Sequence, residues 1–171
     1  MNYRYCPLCG KTLVISEVAG QQRPKCFFCN FVHFTDPKVA VGVIATKNKL
    51  VLLQKRKHNP GKGKWSFPAG YVDSGERVED AALREVLDET LVKVKLLGLV
   101  GVYSEAGSPL IFIVYWGEIV SGEPGPGDES LEAGLFPVDS IPPLAFPHDD
   151  QILNDWKNMG AHLYPGNKNW I

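Results

Sequence analysis

Apolar residues in this chain gather into short runs with distinct periods. Residues 1 to 34 hold few aliphatic side chains and show no sustained pattern. After Asp36-Pro37, two runs rich in β-branched residues follow, Val39 to Thr46 and Leu50 to Gln54. The turn-forming Lys47-Asn48-Lys49 between them predicts a hairpin. His58 to Trp65, with Pro60, Gly61 and Gly63, reads as a loop. From Arg77 to about Leu91 the period becomes helical, with Val78, Ala82 and Val86 four residues apart. Further strands are expected near Val94 to Tyr103 and Leu110 to Val120. The Gly/Pro segment Ser121 to Gly127 is a loop, Leu135 to Val138 a short strand, and Asp149 to Met159 a closing helix. Mixed strands around one strong helix predict an α/β domain. The order of its strands does not follow from the pattern. The expected organisation is a small module over 1–34, the α/β domain over 35–160, and a C-terminal tail over 161–171.

Composition narrows the possible partners. A chain of 171 residues can build one good core and a small appended module. Its 18 basic and 19 acidic side chains leave a formal net charge of −1. That balance gives no long-range attraction to a polyanion, so a nucleic-acid partner is not expected. The N-terminus, MNYRYCPLCG, has neither a basic n-region nor an apolar h-region. The longest apolar run, Leu110 to Trp116, is too short to span a bilayer. A cytoplasmic protein without a membrane partner is the expectation.

All four cysteines lie in the first module. Cys6-x-x-Cys9 and Cys26-x-x-Cys29, with sixteen residues between the pairs, have the spacing of a four-thiolate structural zinc site. Gly10 and Asn30 follow the pairs and suit a positive φ. Zinc would supply the stability that so small a segment cannot obtain by burial. The alternatives are two disulfides or a redox pair. Four thiolates complete a tetrahedron, so His33 is expected to be a bystander.

The segment Gly70 to Val92 carries the second candidate chemistry. Glu85, Asp88 and Glu89 stand at i, i+3 and i+4, which places them on one helix face. Like charges so placed repel, and a divalent cation would relieve that cost. Hard oxygen ligands suit magnesium or manganese. The plainer alternative is a solvated acidic face, partly neutralised by Arg77 and Arg84.

Gly70, Glu76, Arg84-Glu85-Val86 and Glu89 match the spacing of the Nudix box, Gly-x5-Glu-x7-Arg-Glu-U-x-Glu-Glu-x-Gly-U, where U is aliphatic. Trp65 to Gly70 and Leu52 to Arg56 also resemble the approach to the box. The chain is thereby identified as a member of the Nudix hydrolases over most of residues 38 to 140. The resemblance implies an α/β/α sandwich with a mixed sheet, here preceded by a small all-β zinc ribbon. It implies one to three magnesium ions held by Glu85 and Glu89, with Asp88 assisting and the Ala69 carbonyl as a further ligand. Glu76 and Arg84 would orient the catalytic helix. A carboxylate outside the box, Glu129 first and Glu132 second, would complete the site or act as general base. Asp88 replaces the usual glutamate and is one methylene shorter, which favours contact through water. Leu91 replaces the final glycine of the box. A left-handed cap there costs about 1–2 kcal/mol, so the helix is expected to end differently.

A ribbon ahead of a Nudix domain is also found in NADH pyrophosphatases. Their Ser-Gln-Pro-Trp-Pro-Phe-Pro motif is replaced here by Tyr103-Ser104-Glu105-Ala106-Gly107-Ser108-Pro109. The ribbon, the box and Gly125 to Pro143 are more similar to the ADP-ribose and FAD pyrophosphatases, including those of plant plastids. That implies hydrolysis of ADP-ribose to AMP and ribose 5-phosphate, or of FAD to AMP and FMN. Arg56 is the candidate for phosphate, and Tyr103 and Phe112 for stacking on a flat ring. The alternatives are an NADH or NAD-cap pyrophosphatase, a hydrolase that clears oxidised nucleotides, and a nucleotide-sensing ribbon regulator that does not cut. A homodimer is expected by analogy.

Overall fold

The computed structural model describes residues 3–163. The chain divides into two compact units, Met1–Pro37 and Lys38–Ile171. Of the expected tail, residues 161–163 continue the last helix, and 164–171 lie outside the described residues.

The first unit has one hairpin, β1 (Val14–Val18) against β2 (Gln21–Lys25), in antiparallel register from Val14↔Lys25 to Val18↔Gln21. Two tight turns carry the cysteines. They are closed by Cys6 N–H to the Lys11 carbonyl and Cys26 N–H to the Phe31 carbonyl, both 2.7 Å. Gly10 and Asn30 take φ of 71° and 61°, the positive values expected of them. Among the described residues of this unit only Cys6 and Cys26 are buried. Apolar burial alone cannot hold such a unit together.

The second unit runs β3 (Lys38–Lys47), β4 (Leu50–Arg56), β5 (Trp65–Ser66), β6 (Ala69–Tyr71), α1 (Val78–Thr90), β7 (Lys93–Ser104), β8 (Leu110–Ser121), β9 (Ser130–Pro137) and α2 (Pro147–Leu163). Its sheet has the order β5-β4-β3-β8-β7, with β6 also on β3 and β9 also on β4. The β3–β8 pair is parallel and the others are antiparallel, so the sheet is mixed. The two faces separate by residue parity. Val41, Val43, Ala45 and Leu52 pack with Ala81, Ala82 and Val86 of α1. Ile44, Val51 and Leu53 pack with Ile152, Leu153 and Trp156 of α2. A strand covered on both faces reads as a continuous apolar run, which is why β3 shows no alternation. This is the α/β/α sandwich that the resemblance implies.

Two expectations are corrected. The last strand begins at Ser130, five residues before the predicted Leu135, and ends at Pro137. Its added residues pair with Gln54, Lys55 and Arg56, and that cross-strand pairing leaves no apolar period in the sequence. Leu91 does take the left-handed cap, with φ 62° and ψ 13°, and its N–H bonds to the Leu87 carbonyl. The segment after β8 holds the helix end in place. Gly125 N–H donates to the Thr90 carbonyl at 3.0 Å, Gly127 N–H to the Glu89 carbonyl at 3.1 Å, and Ser130 Oγ to the same carbonyl. These bonds satisfy carbonyls that a helix end leaves open and offset the strain at Leu91.

Candidate active site and thiol cluster

The carboxylate site forms where two strands part company on one edge of β3. Thr46 and Lys47 pair with β4, whereas Ala40 to Gly42 pair with β6. The Glu89 side chain reaches from the last turn of α1 into that divergence. Gln54 Nε2 of β4 donates to Glu89 Oε1 at 3.2 Å, and the Ala69 N–H of β6 donates to Oε2 at 2.8 Å. Glu89 is 3% exposed. Burial pushes its carboxyl up to about 8, and the neighbouring charges of Glu85 and Glu129 add to the rise. The Ala69 N–H and Arg56 oppose it.

Gln54 is itself 1% exposed and also donates to Ser66 Oγ at 3.2 Å. Its Oε1 is buried without a hydrogen-bond partner, an open acceptor beside the carboxylate.

Glu85 lies one turn earlier on α1. A methyl group at Gly70 would overlap its carboxylate, so this glycine of the box is required by close approach. Arg84 Nη1 donates to Glu85 Oε1 at 2.7 Å, while its Nε and Nη2 grip both oxygens of Glu76 at 2.9 and 2.8 Å. Glu76 also accepts from the Asp73 N–H. Arg84 holds the Glu76 carboxyl down at about 2, with the Asp73 N–H assisting. The pair ties the loop before α1 to the helix. Burial raises the Glu85 carboxyl; Arg84 opposes this, and the charges of Glu129 and Asp88 add to it.

The remaining candidates are dispersed. Asp88 and Glu129 are exposed. Glu132, the second choice outside the box, pairs with Lys55 at 2.8 Å. Arg56 sends its Nε to the Pro60 carbonyl at 2.8 Å. Tyr103 donates to Asp155 Oδ2 at 3.0 Å and lines a cleft of about 560 Å³ with Gln151, Asn158 and Met159. Phe112 lies over Gly42, with its ring edge-on to His148 at 5.8 Å. Both rings pack on the α2 side of the sheet and are not brought together with Glu85 and Glu89 on α1. Sequence reasoning missed Gln54 and Ser130. The one signal was Gln54 itself, a polar residue ending an otherwise apolar run.

The donor set suits a hard divalent ion. It offers carboxylate oxygens on one helix face, an uncapped amide oxygen, and a buried carboxylate whose ionisation a cation would favour. The thiols suit a softer ion. All four sulfurs lie within 4.8 Å of one another, with Cys6–Cys29 and Cys9–Cys26 at 3.5 Å. Disulfides need about 2.05 Å, and the cysteines are free. Tetrahedral zinc, with bonds of about 2.3 Å, fits sulfurs at these separations. The Cys29 N–H draws the Cys26 thiol down to about 7, while burial and the neighbouring thiols push those of Cys9 and Cys29 up. His33 stands outside the cluster and packs edge-on against Tyr3 at 4.5 Å.

Comparison with known proteins matches the NUDIX domain over residues 36–156. The chain is 40% identical over 132 residues to an ADP-ribose pyrophosphatase of Methanocaldococcus jannaschii, covering 73% of this chain and 78% of that one. It is 29% identical over 148 residues to an NAD-capped RNA hydrolase of Vibrio parahaemolyticus, covering 84% of this chain. The chain spans about half the length of such hydrolases, 55% in this case. A crystal structure of a NUDIX hydrolase from Nitrosomonas europaea superposes with a TM-score of 0.86 at 31% identity, covering 94% of this chain and 93% of that one.

Proposed function

The chain belongs to the Nudix hydrolase family, and on that premise we propose that it cuts the pyrophosphate bond of ADP-ribose, giving AMP and ribose 5-phosphate. The observation that carries this reading is the buried Glu89 carboxylate, held by Gln54 and the Ala69 N–H at the end of the box helix. The substrate class draws on the archaeal relative at 40% identity.

Glu85, Glu89 and the Ala69 carbonyl are the proposed magnesium or manganese ligands, with Asp88 and Glu129 completing the set. When bound, the metal neutralises phosphate oxygens and lowers the pKa of the attacking water. The chain supplies positioning. Arg84 and Glu76 fix the helix face, and the hydrogen bonds on Glu89 fix its rotamer. Arg56 meets phosphate, and Glu129 takes the proton of the water. Tyr103 and Phe112 remain proposed ring contacts on the far face of the sheet. Zinc in the thiol cluster is a structural role. FAD is a second substrate on the same chemistry, and NAD-capped RNA a third, favoured by the match to the capped-RNA hydrolases. A homodimer is proposed by analogy.

The test is a magnesium-dependent product assay on ADP-ribose, FAD, NADH and 8-oxo-dGTP. AMP from ADP-ribose is expected, with kcat lowered by about a thousandfold in Glu89→Gln. Turnover of 8-oxo-dGTP alone would assign the site to nucleotide clearance. A folded protein that turns over none of them is a binding module.

A further inference from the structure

Arg56 is held unusually well for a half-exposed arginine. Its guanidinium lies 5.1 Å from the centroid of the Phe146 ring. The His148 ring stacks on Phe146 with an interplanar angle of 3° and centroids 5.3 Å apart. Phe112 meets His148 edge-on at 5.8 Å. Phe146 is anchored through its backbone at the start of α2. Its N–H donates to Asp149 Oδ2 and its carbonyl accepts the Asp149 N–H, both at 3.1 Å. Asp149 is 2% exposed. The turn at Gly61 also lies against the arginine, where a methyl group would come within 3.3 Å of Arg56 Cδ. Nε is spent on the Pro60 carbonyl. Among the described residues the two terminal nitrogens have no protein partner, and the charge of Arg56 is felt at Glu89.

We infer that Phe146 is a positioning residue for substrate, holding the Arg56 guanidinium as a preset fork for a phosphate of the pyrophosphate beside the carboxylate site. The inference rests on the reading that Arg56 meets phosphate. A planar guanidinium offers paired donors to phosphate oxygens. A free arginine must surrender its side-chain entropy on binding, whereas one stacked on an aromatic ring and tied at Nε has already done so. His148 stacks on the ring, and the capping exchange with Asp149 fixes the backbone of Phe146. Phe146 lies outside the box segment Gly70 to Val92 and ninety residues from Arg56 in sequence.

The experiment measures inorganic pyrophosphate binding by calorimetry in EDTA, and KM and kcat for ADP-ribose in magnesium. Phe146→Leu is expected to weaken pyrophosphate binding and raise KM about tenfold, with kcat changed by less than about threefold. Phe146→Tyr restores both to within about twofold, because it keeps the ring. Combining Phe146→Leu with Arg56→Ala adds nothing to Arg56→Ala alone, since both act through one guanidinium. Should Phe146→Leu fail to fold by thermal melt, His148→Ala, which removes only the ring stacked on Phe146, is expected to give a smaller loss of about threefold. Unchanged binding in Phe146→Leu, or additive effects in the double variant, overturns the inference while leaving the activity intact. Unchanged binding in Arg56→Ala overturns the phosphate reading of Arg56 and this inference with it. Binding in EDTA is read without turnover, so a failed activity assay does not decide the outcome.

Discussion

The two clusters of candidate ligands in this chain are assembled in opposite ways. The four thiols are gathered within 4.8 Å, in a unit where Cys6 and Cys26 are the only buried residues described. No three carboxylates of the box helix meet that closely among the described residues, and two of them are engaged by the protein. Glu85 is bonded by Arg84, and Glu89 by Gln54 and Ala69. The ribbon buries little apart from Cys6 and Cys26, so under the proposed zinc binding, metal uptake and folding would be one event there. The α/β unit has two apolar clusters, one against each helix, and its carboxylates are held by the protein's own donors.

Stripping metal should break the comparison first and most strongly. A mercurial with chelator is expected to release zinc, about one per chain by elemental analysis, as it caps the four thiols as mercaptides. Amide exchange of β1 and β2 should then lose its protection, while α1 and the large sheet keep theirs. Mild EDTA should remove magnesium and abolish activity with no change in exchange at α1. Ribbon protection that survives loss of zinc would show that the thiols are not its support.

Acidity probes the other site, with a smaller effect. The Glu89 carboxyl is pushed up to about 8 by burial, against about 4.3 for an unfolded glutamate. Between those values the folded chain binds a proton that the unfolded chain has released. Stability in EDTA therefore falls as pH rises from about 5 to about 8. Glu76 has the opposite sign. Arg84 holds it at about 2, so its contribution is complete above about 4.3 and is lost only in stronger acid, outside that window. Melting in EDTA is expected to show the decline in the wild type, a shallower one in Glu89→Gln because burial raises Glu85 as well, and recovery with magnesium. A wild-type midpoint that rises from pH 5 to 8 would contradict the burial argument.

What could be read from the sequence follows the same division. Chemistry carried by local spacing was legible: the two cysteine pairs, the carboxylates at i, i+3 and i+4, and the partnership of Glu76 with Arg84 across eight residues. So were the hairpin of β3 and β4 and the long helix α1, because periodicity is local. The features that escaped depend on residues distant in sequence. Gln54 meets Glu89 over 35 positions, and Ser130 meets the same residue over 41. The parallel pairing of β3 with β8 joins segments separated by the whole helix and β7. The early start of β9 rests on backbone pairing with β4, which constrains side chains weakly.

Left-handed residues give the finest comparison. The two cysteine turns place Gly10 and Asn30 at positive φ, and these residue types tolerate it. The box helix places Leu91 there at φ 62°, with its side chain 51% exposed. A branched residue in that region costs about 1–2 kcal/mol, and glycine removes the cost while adding about 0.4–1 kcal/mol of unfolded-chain entropy. The exposed leucine loses little burial on removal, although its Cδ1 lies 3.2 Å from where a methyl group on Gly125 would stand. Leu91→Gly should therefore stabilise the α/β unit by about 0.5 kcal/mol, seen as a small rise in urea midpoint with an unchanged slope. Asn30→Ala in the ribbon should lower stability by a similar amount, read as faster amide exchange across β2, since alanine tolerates positive φ less well. If Leu91→Gly destabilises instead, the contact with the Gly125 loop outweighs the backbone strain, and the helix end is held by packing against that loop.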